Sequence, residues 1–290
     1  MKPFNSNSWE IGQSCRARLV SVTPDAEKTI AYVARVSNPK NQENEKFEGL
    51  LKYCIKNNHV SVFEQAEMTV EVVIPLAIAA QLLRHKSFDF QQLSLRYSDQ
   101  DELKELIGES ESMYYLPSKA RLQDDKNRQN SIIAGDSELD SKMRDVMGHA
   151  YKVADSCYRQ LIEIGIAKEE ARFVLPVGSY TRLYVKGNLR SWIHYLRVRD
   201  EEGVVQWEHV ELARLLKKIF AEQFPVISKA ISECDEKAKL LELESQIKEL
   251  EEKLSKALIA LEEKDSWVSK LTNRLKSAFK LKKFFNTDQK

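Results

Sequence analysis

Between Gln81 and Tyr97 the chain reads Gln-Leu-Leu-Arg-His-Lys-Ser-Phe-Asp-Phe-Gln-Gln-Leu-Ser-Leu-Arg-Tyr, which gathers cations, a histidine, a serine, amides and aromatics into one short segment. Guanidinium groups bind phosphate bidentately, and serine and glutamine read amide-like base edges. Standing alone, such a cluster is equally a solvated basic turn. A second cluster, Asn188 to Arg199, changes the weighting. It carries Asn188, Arg190, His194, Arg197 and Arg199, while Leu189, Trp192, Ile193 and Leu196 fit one buried helical face. On a helix, Arg190, His194 and Arg197 share a side at i, i+4 and i+7. Arg172 is a third candidate. Arginines gathered around one cleft repel one another, so an anionic ligand is their natural partner. The residues by themselves support a nucleotide or dinucleotide site and name no reaction.

Several chemistries are disfavoured. Neither common glycine-rich phosphate loop is present, which argues against Rossmann and Walker sites. No cysteine lies in either basic segment, which argues against a thiol nucleophile. No histidine or carboxylate cluster has metal-ligand spacing, so no metal is expected. His59, His85, His149, His194 and His209 are scattered, and each taken singly reads as structural.

The elements that must position these residues follow from pattern. Arg18–Thr23 is expected as a strand ended by Pro24, with Asp25 or Thr23 capping a helix through Ile30, Val33 and Ala34. A helix is expected over Glu45–Lys56. Glu67–Ile74 alternates and is β-branched, which predicts a strand with Met68, Val70, Val72 and Ile74 on one face. Pro75 then opens a helix to about Arg84, which leads into the first basic segment. The polar stretch Gln123–Asp140 is expected as a surface loop or insertion. Helices over Leu139–Ile164 and Lys168–Leu175, a strand over Ser179–Val185, and helices over Leu189–Arg197 and Val205–Phe224 complete the first region. Strands and helices intersperse without regular βαβ alternation, so the class is α+β.

Composition bounds the rest. The 290 residues are 42% hydrophobic and 31% charged, enough apolar material for a substantial core. Lysine plus arginine (45) nearly cancels aspartate plus glutamate (44), so global charge implies no nucleic-acid partner. Cys15, Cys54, Cys157 and Cys234 are widely spaced and are expected as reduced, mostly buried thiols of a cytoplasmic protein. The longest apolar stretch, Val70–Leu83, is interrupted and too short to cross a bilayer, so no membrane partner is expected. From about residue 231 the chain has no glycine or proline and a period of seven: Leu240, Ile247, Leu254, Leu261, Val268 and Leu275 take one heptad position, and Leu243, Leu250, Ala257, Lys264, Leu271 and Ala278 the other. Such heptads argue for a coiled-coil helix over 231–290 beside a globular domain over 1–230, with Ala257 and Lys264 interrupting the seam. The basic, apolar end from Lys276 to Phe285 reads as solvated.

The order of the segments resembles the flavin-dependent thymidylate synthases. Their Arg-His-Arg, seven residues, Ser-x-Arg signature stands here as Arg84-His85-Lys86 and Ser94-Leu95-Arg96, followed by Tyr97. His59-Val-Ser-Val-Phe-Glu64 looks like the family's His-x-Ser/Thr-Pro-Phe-Glu segment with Val62 for proline. Ala171-Arg172, Tyr180-Thr181, Asn188-x-Arg190-Ser191, Leu196-x-x-Arg199 and Gln206-Trp207-Glu208 follow in the family's order. The resemblance spans about residues 17–225 and leaves the heptad tail outside.

It implies an α+β fold with a mixed sheet flanked by helices, and a homotetramer with sites between subunits. Ser61, Arg84, His85, Lys86, Gln92, Asn188, Arg190 and His194 would surround FAD. Gln81, Arg84, Gln92, Ser94, Arg96, Arg172 and Arg199 would hold dUMP. NADPH and methylenetetrahydrofolate would be co-substrates in the reductive methylation of dUMP to dTMP. Arg199 would stabilise charge on the uracil ring and Ser94 would orient the nucleotide. Lys86 stands for a usual arginine, Asp89 for a serine, Gln91 and Gln92 for Asn and Glu, and His194 where some members have Asn. Three other readings are weighed: a related C5 modification such as hydroxymethylation, a non-catalytic nucleotide-binding assembly protein, and a nucleic-acid binder stacking bases on Phe88, Phe90 and Tyr97, which the near-neutral overall charge disfavours.

Overall fold

The computed structural model describes residues 8–97 and 112–285. Its main sheet has the order β1-β2-β3-β7-β4, formed by Glu10–Ile11 (β1), Arg16–Val22 (β2), Glu67–Pro75 (β3), Asp89–Gln92 (β4) and Tyr180–Asn188 (β7). The α+β class expected from the sequence holds, with helices flanking the sheet. Each ladder runs antiparallel, a simpler arrangement than the mixed sheet implied by the resemblance.

The alternating pattern of β3 put Met68, Val70, Val72 and Ile74 on one face, and all four are fully buried. Val73 and Glu71 on the opposite face are buried too, because β3 is the central strand and both of its faces are covered. Glu71 is paired there: Arg18 Nε on β2 donates to it at 2.7 Å, and Arg182 Nε on β7 lies 3.2 Å away. Removing one member of such a buried group costs about 3–5 kcal/mol, since it strands the remaining charge.

The other elements are α1 (Ala26–Ala34), α2 (Glu48–Lys56), α3 (Leu76–Leu82), α4 (Ser137–Glu163), α5 (Lys168–Ala171), α6 (Leu189–Arg199), α7 (Trp207–Gln223) and α8 (Pro225–Phe285), with a small hairpin of β5 (Arg121–Gln123) and β6 (Ser131–Ile133). Helix α6 follows β7 without a loop. Leu189, Trp192, Ile193 and Leu196 are buried as its period requires, and Trp192 Nε1 donates to the Met68 carbonyl at 3.0 Å. Helix α7 packs on α6 and on β2, and its Val210, Leu212, Leu216 and Ile219 are buried.

Several local expectations are corrected. Asp25 stands at the N-cap of α1 in the left-handed region (φ 47), and its side chain caps nothing. Thr23 Oγ1 accepts from the Glu67 N–H instead, which ties β2 to β3. The helix expected over Lys168–Leu175 stops at Ala171 and tightens into a 3-10 turn over Arg172–Val174. The polar stretch expected as loop contains β6 and the end of β5, with Asp124 accepting from Lys126 N–H and Asn130 Nδ2 in the connection. Of the thiols, Cys15 and Cys54 are buried, Cys234 is partly covered and Cys157 is exposed; all four are free.

The chain divides into two units, Met1–Ile231 and Ser232–Lys290. In the second, Leu240, Leu243, Ile247, Leu250 and Leu254 are all exposed on α8. The side chains of Lys264, Ala278 and the 278–285 end lie outside the described residues. No described helix is long and apolar enough to cross a membrane.

Candidate active site

Three chain segments converge at one end of α6. Gln81 lies on the last turn of α3, Arg84 and His85 lie just beyond it, and α6 contributes Tyr195 and its last residue, Arg199. The start of α7 adds Gln206, Glu208 and His209. Arg199 Nε donates to His85 Nε2 at 2.8 Å, so this nitrogen is bare and the proton sits on Nδ1. Burial first, then the charges of Arg199, His194 and Arg84, lower the His85 pKa to about 4. The imidazole is therefore neutral at pH 7, and four residues singled out from the sequence share one locale.

His85 also packs edge-on to Tyr195, with ring centroids 5.0 Å apart. Phe88 beside it packs at a tilt against Trp192, with ring centroids 4.5 Å apart, and passes over Gly187. A Cβ at Gly187 would run into the Phe88 ring, so glycine is needed for this close approach. The basic segment is thus fixed to the sheet and α6 by an aromatic anchor.

Beneath Arg199 runs a line of polar groups. Tyr195 OH and Gln81 Oε1 lie 3.1 and 3.3 Å from the two ring nitrogens of His209. Gln81 Nε2 donates to Gln206 Oε1 at 2.6 Å, and Gln206 Nε2 donates to Glu208 Oε2 at 2.9 Å. Tyr115 OH donates to the other Glu208 oxygen at 3.1 Å. His209 and Tyr195 are fully buried. Burial, with Arg199 and His85 adding, lowers His209 to about 3, while burial raises Tyr195. Both are neutral at ordinary pH.

Other candidates lie elsewhere in the chain. Ser61 is exposed on the 3-10 turn Val60–Gln65, and Glu64 of that turn pairs with Arg190 at 2.5 Å. Asn188 Oδ1 accepts from the N–H and hydroxyl of Ser191, which caps α6. A third group gathers around Glu169: its carboxylate pairs with Arg96 at 2.9 Å, and its carbonyl accepts from Arg172 Nε at 3.1 Å. Ser94 Oγ accepts from the Arg96 N–H at 3.4 Å, a turn-closing contact. Gln92, on edge strand β4, donates from Nε2 to Thr181 Oγ1 at 3.2 Å. Lys86 is exposed. Asn188 ends β7, whereas Leu93 bonds to the Arg182 carbonyl near its start, so the Ser61 and Ser94 groups sit toward opposite ends of a strand of about 30 Å.

The comparisons decide the family. Residues 18–226 match the family model described as thymidylate synthase complementing protein. The chain belongs to that family. Among its relatives, the probable flavin-dependent thymidylate synthase of Paramecium bursaria Chlorella virus 1 is 44% identical over 223 residues, spanning 74% of this chain and 98% of the viral protein. The flavin-dependent thymidylate synthase of Synechocystis sp. is 43% identical over 205 residues, 71% of this chain and 89% of that protein. A solved structure, the UMP/dUMP methylase PolB from Streptomyces cacaoi bound with 5-Br dUMP, superposes with a TM-score of 0.65 at 26% identity, covering 77% of this chain and 96% of that one. The matched span holds the whole His85–Arg199 locale and excludes most of α8.

Five residues of this locale escaped the functional reading of the sequence: Tyr115, Tyr195, Gln206, Glu208 and His209. The Gln-Trp-Glu motif marked Gln206 and Glu208 as family-like without giving them work. His209 was set aside as a lone histidine, and its three-residue spacing from Gln206 on one helical turn was the available signal.

Proposed function

We propose that this chain is a flavin-dependent thymidylate synthase that methylates C5 of dUMP. The observation that carries the reading is Arg199 hydrogen-bonded to a neutral His85 beside Gln81 and Arg84, inside the span that matches the family. The enzyme names of two relatives above 40% identity and the nucleotide held by PolB support the substrate. Among the described residues the Arg199 Nη groups make no hydrogen bond, so the guanidinium is available to an anionic or carbonyl-rich base. It would stabilise charge on the uracil as C5 becomes nucleophilic.

The residues present suit FAD in part. Arg84, Lys86 and His194 are exposed donors of the kind a pyrophosphate takes, and the neutral His85 ring offers a flat apolar face. Ser61 and Gln92 complete the proposed donor set. Asn188 and Arg190 are already engaged, by the α6 cap and by Glu64, and would need to exchange partners. When bound, reduced FAD would supply the hydride, with NADPH and methylenetetrahydrofolate as co-substrates.

Within one chain, Ser94, Arg96 and Arg172 stand apart from Ser61 and Asn188. That separation supports a homotetramer whose sites are completed between copies. The exposed heptad leucines of α8 support a coiled coil as a further self-contact. Four free thiols suit a cytoplasmic protein.

Anaerobic turnover of the purified protein with FAD, NADPH, methylenetetrahydrofolate and dUMP tests the reaction. A product with the mass of dTMP is the expected result. A product heavier by one oxygen would favour hydroxymethylation, which the neutral Gln92 and the charged Asp89 motivate. Nucleotide binding without any product would leave only an assembly protein.

A further inference from the structure

The polar line beneath Arg199 has a direction, and one residue sets it. Glu208 is a buried carboxylate and can only accept. Both of its neighbours, Tyr115 OH and Gln206 Nε2, must therefore donate to it. With Gln206 Nε2 committed, Gln206 turns its oxygen to Gln81, whose Nε2 must donate. Gln81 then presents its oxygen to His209, which must carry its proton on Nδ1. The neutral ring leaves Nε2 bare, so it accepts from the Tyr195 hydroxyl. Reversing either amide alone would set like groups against each other at both of its contacts, and the Glu208 and His209 ends of the line are buried, so the whole line holds a single polarity.

We propose that Glu208 determines which nucleobase this enzyme accepts, by fixing the orientation of the Gln81 amide. The inference rests on the reading above that Gln81 belongs to the dUMP site, and it takes the Gln81 amide, beside Arg199, to face the pyrimidine. Uracil offers a carbonyl acceptor at C4 beside an N3–H donor. Cytosine offers the reverse, an amino donor beside a bare N3. A side-chain amide free to rotate by half a turn meets either pattern equally well and cannot choose between them. Gln81 has one N–H and one oxygen lone pair left after its contacts with Gln206 and His209, and these two keep fixed places. An amide so held matches one of the two bases and opposes the other with like groups. Glu208 touches no substrate in this scheme; it is a positioning residue acting through Gln206.

Glu208→Gln is the informative change because it keeps shape and removes the constraint. A glutamine can donate to Gln206 Oε1. Gln206 Nε2 then donates to Gln81 Oε1, Gln81 Nε2 to His209 Nδ1, and His209 Nε2–H to the Tyr195 oxygen. In the reversed line each contact between neighbours again has one donor and one acceptor, and only the Tyr195 hydroxyl proton gives up its acceptor, so the second amide orientation becomes available where Glu208 had forbidden it. Gln206→Met, at an exposed position, cuts the line between Glu208 and Gln81 and serves if the buried variant fails to fold.

Calorimetric titration of dUMP and of dCMP into the full-length, flavin-loaded protein tests this. The wild type is expected to bind dUMP and discriminate against dCMP. In Glu208→Gln and Gln206→Met the ratio of the two dissociation constants should narrow about tenfold or more, mainly through tighter dCMP binding. A folded, flavin-loaded variant that keeps the wild-type ratio overturns the proposal and leaves the thymidylate synthase reading intact. Wild-type protein that binds both nucleotides equally also overturns it alone. Wild-type protein that binds neither removes the reading on which it rests.

Discussion

At the scale of single residues, the site combines a permanent cation with a neutral ring. Arg199 spends one donor on His85 and keeps its outer nitrogens, so its alanine variant should fold and lose about 10²-fold or more in kcat/KM. Unchanged kcat/KM in that variant would remove Arg199 from the chemistry. The histidines give a pH signature as well. His85 and His209 sit at about 4 and about 3 in the fold, against 6.5 for an ordinary histidine. Between pH 6.5 and those values the unfolded chain binds protons that the folded one refuses. The stability contributed by the neutral rings is thus complete above about pH 6.5 and is lost as pH falls through that window. The urea midpoint should therefore drop from pH 7 to pH 4.5, and His209→Gln should lessen the drop. Equal drops in the two proteins would place the acid sensitivity on other groups.

At the scale of elements, the site depends on how β7 hands the chain to α6. Asn188 ends the strand and caps the helix, and Gly187 before it lets Phe88 lie across the strand. Two substitutions separate these roles. Asn188→Ala should cost about 1 kcal/mol in chemical denaturation as a lost cap. If its flavin dissociation constant stays at the wild-type value, the residue serves the helix and not the cofactor. Gly187→Ala should cost about 1–3 kcal/mol by overpacking against Phe88, with weakened flavin binding because the Arg84–Lys86 segment shifts with the ring. Retention of both stability and flavin affinity would show that Phe88 can move aside freely. The elements themselves were readable where pattern is local: β3 from its alternation, α6 from its buried stripe of Leu189, Trp192, Ile193 and Leu196. The α1 cap was misread because Thr23 found a better partner across the sheet, on Glu67, than in its own helix.

At the scale of the molecule, the catalytic span and the heptad helix are separate matters. The family match ends at residue 226, and contacts divide the chain at Ile231. A chain truncated after residue 231 should keep wild-type turnover of dUMP. Loss of turnover together with a fall in molar mass by light scattering would make the helix part of the assembly that completes the site. If the proposed coiled coil forms, replacing Leu243 and Leu250 with serine in the intact protein should lower its molar mass by light scattering and leave dUMP turnover unchanged; an unchanged molar mass would remove α8 from self-association.

The readable part of this protein is the part governed by neighbours in sequence. Period and turn chemistry set the order of strands and helices, and the ordered motifs from His59 to Glu208 point to the family from the sequence alone. What remained open depended on residues distant along the chain. That His85 would be neutral follows from burial and from Arg199, which stands 114 positions away and meets it only because α6 ends beside α3. That His209, Gln206 and Glu208 form one polarised line with Gln81 follows from the packing of α7 against the same helix ends. Hydrogen bonds act over about 3 Å and burial is shared by every element around a group, so sequence can nominate such residues and only the fold can join them.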